Sequence, residues 1–149
     1  MATSQRPTVG FVGLGAMGFG MAANLVKEGY TVRGYDVFPK SIERFQQAGG
    51  IAAASLSNSA SGCEYYICMV ATALQAQAAL FDSEDAIVPG KHPVCHSKGI
   101  QFTDPNYPIA LPQGATLLLC STVPSSYAQS VQSQLTSIGL RRGCDVHVA

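Results

Sequence analysis

Charge is scarce in this 149-residue sequence. Only 12% of residues are Asp, Glu, Lys or Arg, about half the ~25% of an ordinary globular chain. Nine basic residues balance nine acidic ones, and no basic run is present, so a nucleic-acid partner is not expected. No apolar run approaches the ~20 residues of a membrane span, which argues against an integral membrane protein. Seven residues precede the first predicted strand, too few for a secretory signal or a cleavable transit peptide. The five cysteines, Cys63, Cys68, Cys95, Cys120 and Cys144, are odd in number and scattered. They form no disulfide framework, and Cys68 and Cys120 fall in predicted buried strands. Free thiols in a reducing compartment are expected, hence a cytoplasmic location. There is no internal repeat. The length suits one domain with a real core. With so few charges, such a domain leaves neutral or apolar surface for a partner or a second domain to cover.

Against these absences one motif stands out. Gly13-Leu14-Gly15-Ala16-Met17-Gly18 follows the β-branched run Thr8-Val9-Gly10-Phe11-Val12 and opens a helix at Ala16. Gly13 permits a tight strand-to-helix turn, Gly15 lets a pyrophosphate approach the backbone, and Gly18 lets the helix pack close to the strand. Free N–H groups at the helix start, with the positive end of its dipole, suit a phosphate. A bare G-x-G-x-x-G is weak in a chain with fifteen glycines; the strand before it, the helix after it and an acid downstream strengthen it. That acid is Asp36, at the end of the strand-like run Tyr30 to Tyr35. It can accept hydrogen bonds from both ribose hydroxyls of an adenosine and would repel a 2′-phosphate, which favours NAD over NADP. The plainer reading is a turn aspartate ahead of a helix begun by Pro39. Arg33 and Lys40 could each meet a 2′-phosphate, so NADP stays open.

Elsewhere, strands and helices alternate. A first helix is predicted from Ala16 to Glu28, with Met17, Met21 and Leu25 four apart and Gly29 as its cap. A second is predicted from Pro39 to Ala48, with Ile42 and Phe45 inward, ended by Gly49-Gly50. A short strand, Ile51 to Ala54, and a small polar stretch, Ser55 to Gly62, follow. Tyr65 to Val70 and Thr116 to Cys120 are continuous apolar runs, as expected of parallel strands covered on both faces. Leu74 to Leu80 reads as helix. Pro124 starts another whose inner face is Tyr127, Val131, Leu135 and Ile138, closed by Gly139. A last strand is predicted over Asp145 to Val148. The alternation implies right-handed βαβ units and an α/β fold, a Rossmann-type doubly wound parallel sheet in one domain over residues 1–149. Its ligands bind at the carboxyl ends of the strands. The glycine turn, Asp36, Val70-Ala71 and Ser121-Thr122 all fall there.

The stretch Gly10 to Gly18 with Met21-Ala22-Ala23-Asn24-Leu25, then Gly34-Tyr35-Asp36, Ile67-Cys68-Met69-Val70 and Ser121-Thr122, resembles the β-hydroxyacid dehydrogenases. These include 3-hydroxyisobutyrate, threonate and 6-phosphogluconate dehydrogenases. The resemblance implies hydride transfer between a nicotinamide cofactor and the β-hydroxyl carbon of a small acid. It implies pyrophosphate binding by Gly13, Leu14, Gly15, Ala16, Met17 and Gly18, ribose binding by Asp36, and cofactor contact by Val70, Ala71 and Thr122. Ser121 and Thr122 would meet the substrate carboxylate, since hydroxyls donate without adding charge; they also suit a helix N-cap before Pro124.

Three departures accompany the resemblance. Leu119 stands where many relatives carry Asp. Residues from about Lys91 to Ile109 have no place in the family pattern and read as a long extra loop, of the kind an unspliced intron would add. His92, Cys95 and His96 on that loop are too few and too poorly supported for a metal site. The family's catalytic lysine has no match, since Lys98 lacks its context, and the helical domain that completes the substrate pocket and forms the homo-oligomer is not matched either. No catalytic residue is therefore assigned, and negligible turnover is expected of this chain alone. A non-catalytic nucleotide-binding or interaction module is the rival reading. A flavin or S-adenosylmethionine domain with a similar turn is a third.

Overall fold

The computed structural model describes residues 5–83, 85–88, 110–112, 114–137 and 146–148. The extra loop predicted from Lys91 to Ile109 lies outside the described residues, as do Cys95, Cys144, Ile138, Gly139 and Asp145. The elements are β1 (Thr8–Val12), α1 (Ala16–Lys27), β2 (Thr31–Tyr35), α2 (Pro39–Gln47), β3 (Ile51–Ala52), α3 (Leu56–Ala60), β4 (Tyr65–Cys68), α4 (Ala73–Gln77), β5 (Thr116–Leu119), α5 (Ser125–Ser137) and β6 (Val146–Val148). Among the described residues the strands form one six-stranded parallel sheet in the order β3-β2-β1-β4-β5-β6.

That order is doubly wound. The chain steps outward from β1 through β2 to β3, then returns to the other side of β1 for β4, β5 and β6. Side chains sort onto two faces by strand alternation. Phe11, Val32 and Ile67 join Leu14, Ala22 of α1 and Phe45 of α2 in one core layer. Val12, Tyr66, Cys68, Leu117 and Leu119 join residues of α3, α4 and α5, among them Leu56, Ala76, Val131 and Leu135, in the other. The unbroken apolar runs of β4 and β5 are therefore covered on both sides, as parallel strands require. Cys68 packs in one layer and Cys120 against the other, so the two thiols face away from each other across the sheet.

Several expected boundaries shift. The strand after α2 is two residues long rather than four: Ala53 still donates to the Gly34 carbonyl, but the Ala54 N–H turns to Asn58 Oδ1 and Ser55 caps α3. β4 ends at Cys68, two residues early, since the backbone N–H of Val70 turns to a side chain instead of a neighbouring strand. Cys120 lies just past β5 and is half-buried. The segment expected to be helical from Leu74 to Leu80 is α-helical only to Gln77; Ala78–Asp82 widens into a π turn. No helix among the described residues is long and apolar enough to cross a membrane.

Candidate functional site

The strand register brings the expected residues to one edge. Val12 pairs with Tyr35 on one side and Cys68 on the other, and Cys68 pairs with Leu119. These are the last residues of β1, β2, β4 and β5, so the segments that follow them emerge side by side. They are the glycine turn, Asp36, Val70-Ala71 and Ser121-Thr122. β1 and β4 flank the point where the winding reverses, which is where a crevice opens in such sheets.

The glycine turn is built from backbone constraints. Gly13 has φ +94°, and a Cβ there would stand 2.0 Å from the Met69 carbonyl oxygen. A Cβ on Gly18 would stand 1.8 Å from the Gly13 carbonyl oxygen, so α1 crosses the turn at backbone contact. Gly15 differs: it is exposed, and a Cβ would meet nothing within 4 Å. It is the N-cap of α1, no side chain caps that helix end, and its first turn holds no acid. The amides of Ala16, Met17 and Gly18 thus open the helix without a side-chain acceptor in the cap, an arrangement suited to an anion.

Asp36 is tied to this turn. Its Oδ2 accepts from the Leu14 N–H at 2.7 Å, and its Oδ1 accepts from the Phe38 N–H at 2.9 Å. The residue is 9% exposed. The turn-aspartate reading holds: one carboxylate closes the loop after β2 and is fixed against the glycine turn, with a lone pair left on each oxygen. Of the two cations that could meet a 2′-phosphate, Arg33 is engaged elsewhere, donating to the Ser61 carbonyl at 2.7 Å. Lys40 is exposed on the first turn of α2.

Across the crevice a buried hydroxyl does the joining. Ser121 is 1% exposed; its Oγ accepts from the Val70 N–H at 3.0 Å and donates to the Cys68 carbonyl at 3.3 Å. It bridges the ends of β4 and β5 from beneath. Thr122 is the exposed member of the pair. Neither starts the next helix: the Pro124 carbonyl accepts from Tyr127 and Ala128. Val70 is half-buried and Ala71 exposed, with the Ala71 N–H held by Gln75 Oε1 at 2.9 Å. Burial pushes the Cys68 thiol up to about 12, against the opposing pull of the Ser121 hydroxyl, so beneath the site it is a neutral group.

Two features of the rim were not read from the sequence. Met17, expected with Met21 and Leu25 on the apolar stripe of α1, is instead exposed at the helix start, and with Val37, Phe38 and Leu74 it makes a rim of large apolar side chains at 68–83% exposure, each at a helix start or just past a strand end on this edge. Two bulky apolar residues directly after Asp36 in a charge-poor chain were the available signal. The second is Arg44 of α2, whose Nη2 donates to the Leu14 carbonyl at 3.4 Å and whose guanidinium lies over the Phe19 ring; nothing local marks that contact. His92, Cys95 and His96 lie outside the described residues.

Fold, turn and acid together define a dinucleotide-binding domain. The family model for the NAD-binding domain of 6-phosphogluconate dehydrogenase matches residues 8–142, and the chain belongs to that family, the NAD-binding domain of the β-hydroxyacid dehydrogenases. The cofactor class is therefore a nicotinamide dinucleotide. The L-threonate dehydrogenase of Cupriavidus necator is 30% identical over 132 residues, 89% of this chain and 37% of that protein. The mitochondrial 3-hydroxyisobutyrate dehydrogenase of Homo sapiens is 40% identical over 75 residues, 50% of this chain and 22% of that protein. The crystal structure of a 3-hydroxyisobutyrate dehydrogenase from Salmonella typhimurium matches with a TM-score of 0.68 at 26% identity, covering 93% of this chain and 40% of that one. The chain spans about two-fifths or less of the length of these relatives.

Proposed function

We propose that this edge binds NAD in preference to NADP, and that the chain is the cofactor-binding part of an oxidoreductase acting on a small β-hydroxy acid. The observation that carries the preference is Asp36, fixed by the Leu14 N–H at 2.7 Å directly beside the glycine turn. A second anion at the ribose, as in NADP, would face this carboxylate, and Arg33 is held away on Ser61. In this reading the first-turn amides of α1 and the open face at Gly15 hold the diphosphate. The remaining lone pairs of Asp36 accept the ribose hydroxyls. The apolar rim of Met17, Val37, Phe38 and Leu74 covers the flat faces of the bound dinucleotide.

When bound, the nicotinamide supplies a hydride acceptor or donor. The chain's own residues bind and orient it. Val70 and Ala71 lie against it, Ser121 fixes the spacing of the two strand ends, and Thr122 presents an exposed hydroxyl to a substrate carboxylate. Relatives named for L-threonate and 3-hydroxyisobutyrate support a small hydroxy acid as the substrate class. A helical second domain would complete the substrate pocket, carry the homo-oligomer contact and supply the general acid. These 149 residues alone are expected to turn over negligibly. A cytoplasmic location fits the buried Cys68 and the half-buried Cys120 as free thiols. The test is calorimetric titration of Asp36→Ala beside the wild type. Loss of the preference for NAD supports the proposal; an unchanged ratio of NAD to NADP affinity contradicts it.

A further inference from the structure

Leu14, at the bend of the glycine turn, is held at every point. Its side chain is fully buried, its N–H donates to Asp36, and its carbonyl accepts from Arg44 Nη2 at 3.4 Å. Arg44 comes from α2, thirty residues along the chain. Its guanidinium stands 3.9 Å from the centroid of the Phe19 ring, a cation–π contact. Phe19 in turn donates its N–H to the Gly15 carbonyl at 2.9 Å. Arg44 therefore braces the bend and the first turn of α1 together.

The peptide unit joining Leu14 to Gly15 is planar and trans, so its C=O and N–H point in opposite directions. A cation that holds the Leu14 carbonyl on one side turns the Gly15 N–H to the other. We infer that Arg44 is a positioning residue for the anion-binding turn: acting through the Leu14–Gly15 peptide, it aims the Gly15 amide at the diphosphate without touching the dinucleotide. The consequence rests on the dinucleotide reading above, whereas the geometry does not. The competing role for an arginine that shares Leu14 with Asp36 is direct contact with a 2′-phosphate. The two roles separate cleanly, because an aimed amide serves NAD and NADP equally and a phosphate ligand serves NADP alone.

The test compares the full chain with Arg44→Met, which keeps an apolar stem over Phe19 and removes the donors, and Arg44→Lys, which restores charge without the planar fork. The Gly15 amide cross-peak is followed by NMR without ligand, and NAD and NADP are then titrated. In Arg44→Met the Gly15 amide is expected to shift, while that of Gly29 at the far end of α1 stays in place. Affinity for both dinucleotides is expected to fall about three- to fivefold, less than the worth of one hydrogen bond from a charged donor because Arg44 acts through the peptide and not on the ligand, with partial recovery in Arg44→Lys. An unmoved Gly15 amide, unchanged affinities, or a loss confined to NADP overturns the inference. If the wild type binds neither dinucleotide, the functional reading fails, and the Gly15 amide alone then decides whether Arg44 sets the turn.

Discussion

The two sides of the crevice are held by different means. On the β1–β2 side the shape comes from backbone: Gly13 and Gly18 are packed to the limit of contact, and Asp36 closes on a main-chain N–H. On the β4–β5 side it comes from one side chain, the Ser121 hydroxyl, reaching main-chain groups 51 and 53 residues away. The first side fails by collision when an atom is added. The second fails by desertion when an atom is removed, leaving the Val70 N–H without its partner while the Cys68 carbonyl keeps the Cys120 N–H. Within the first side a further contrast separates fold from binding, since Gly15 has open space around it where its neighbours have none.

The largest expected effect breaks the backbone side. Gly13→Ala or Gly18→Ala forces a methyl into a carbonyl oxygen and should cost about 3 kcal/mol or more, enough to lose the folded state in a marginal domain. Gly15→Ala should leave stability within about 0.5 kcal/mol, yet weaken dinucleotide binding about tenfold or more by blocking close approach. Chemical denaturation and titration read both. Equal destabilisation by the three substitutions would erase the distinction.

Next comes the hydroxyl side. Ser121→Ala should cost about 1–3 kcal/mol from the deserted Val70 N–H, measured by denaturant midpoint, while Thr122→Ala should stay within about 0.5 kcal/mol. A Thr122 effect as large as that of Ser121 would mean that the buried bridge is not what joins the strand ends.

The smallest effect serves as a control remote from both sides. Asp85 caps the start of α3 through the Ser57 hydroxyl and N–H. Burial alone would raise its pKa, but the hydrogen bonds from Ser57, with Ser55 and Leu56, hold it below the ordinary 3.8. Its contribution is therefore present above that ordinary value and lost as the pH falls through the lower folded value. Asp85→Asn should melt below the wild type at neutral pH, with the gap closing in strong acid and dinucleotide affinity unchanged. A gap that persists in acid would deny the carboxylate its part.

The same difference explains what was legible in the sequence. The turn glycines and Asp36 lie within one βαβ unit, where spacing alone dictates geometry, and the alternation of apolar runs with helical periods leads to the doubly wound sheet. Ends of elements were less legible because long-range bonds set them: β4 stops where Val70 turns to Ser121, and the helix after it widens to a π turn at Ala78–Asp82 without any local marker. Ser121 and Thr122 are chemically alike on paper. Only the packed strands show that one hydroxyl is buried in the frame and the other faces outward. Arg44 is an ordinary exposed helix residue by composition, and its contact with Leu14 exists only once α2 has packed beside α1.

The most direct measurement is calorimetric titration of the 149-residue chain with NAD and with NADP under identical salt. Binding of both, tighter for NAD, is the expected result. No binding of either, or tighter binding of NADP, would contradict a diphosphate held at the Gly15 bend with Asp36 on the ribose.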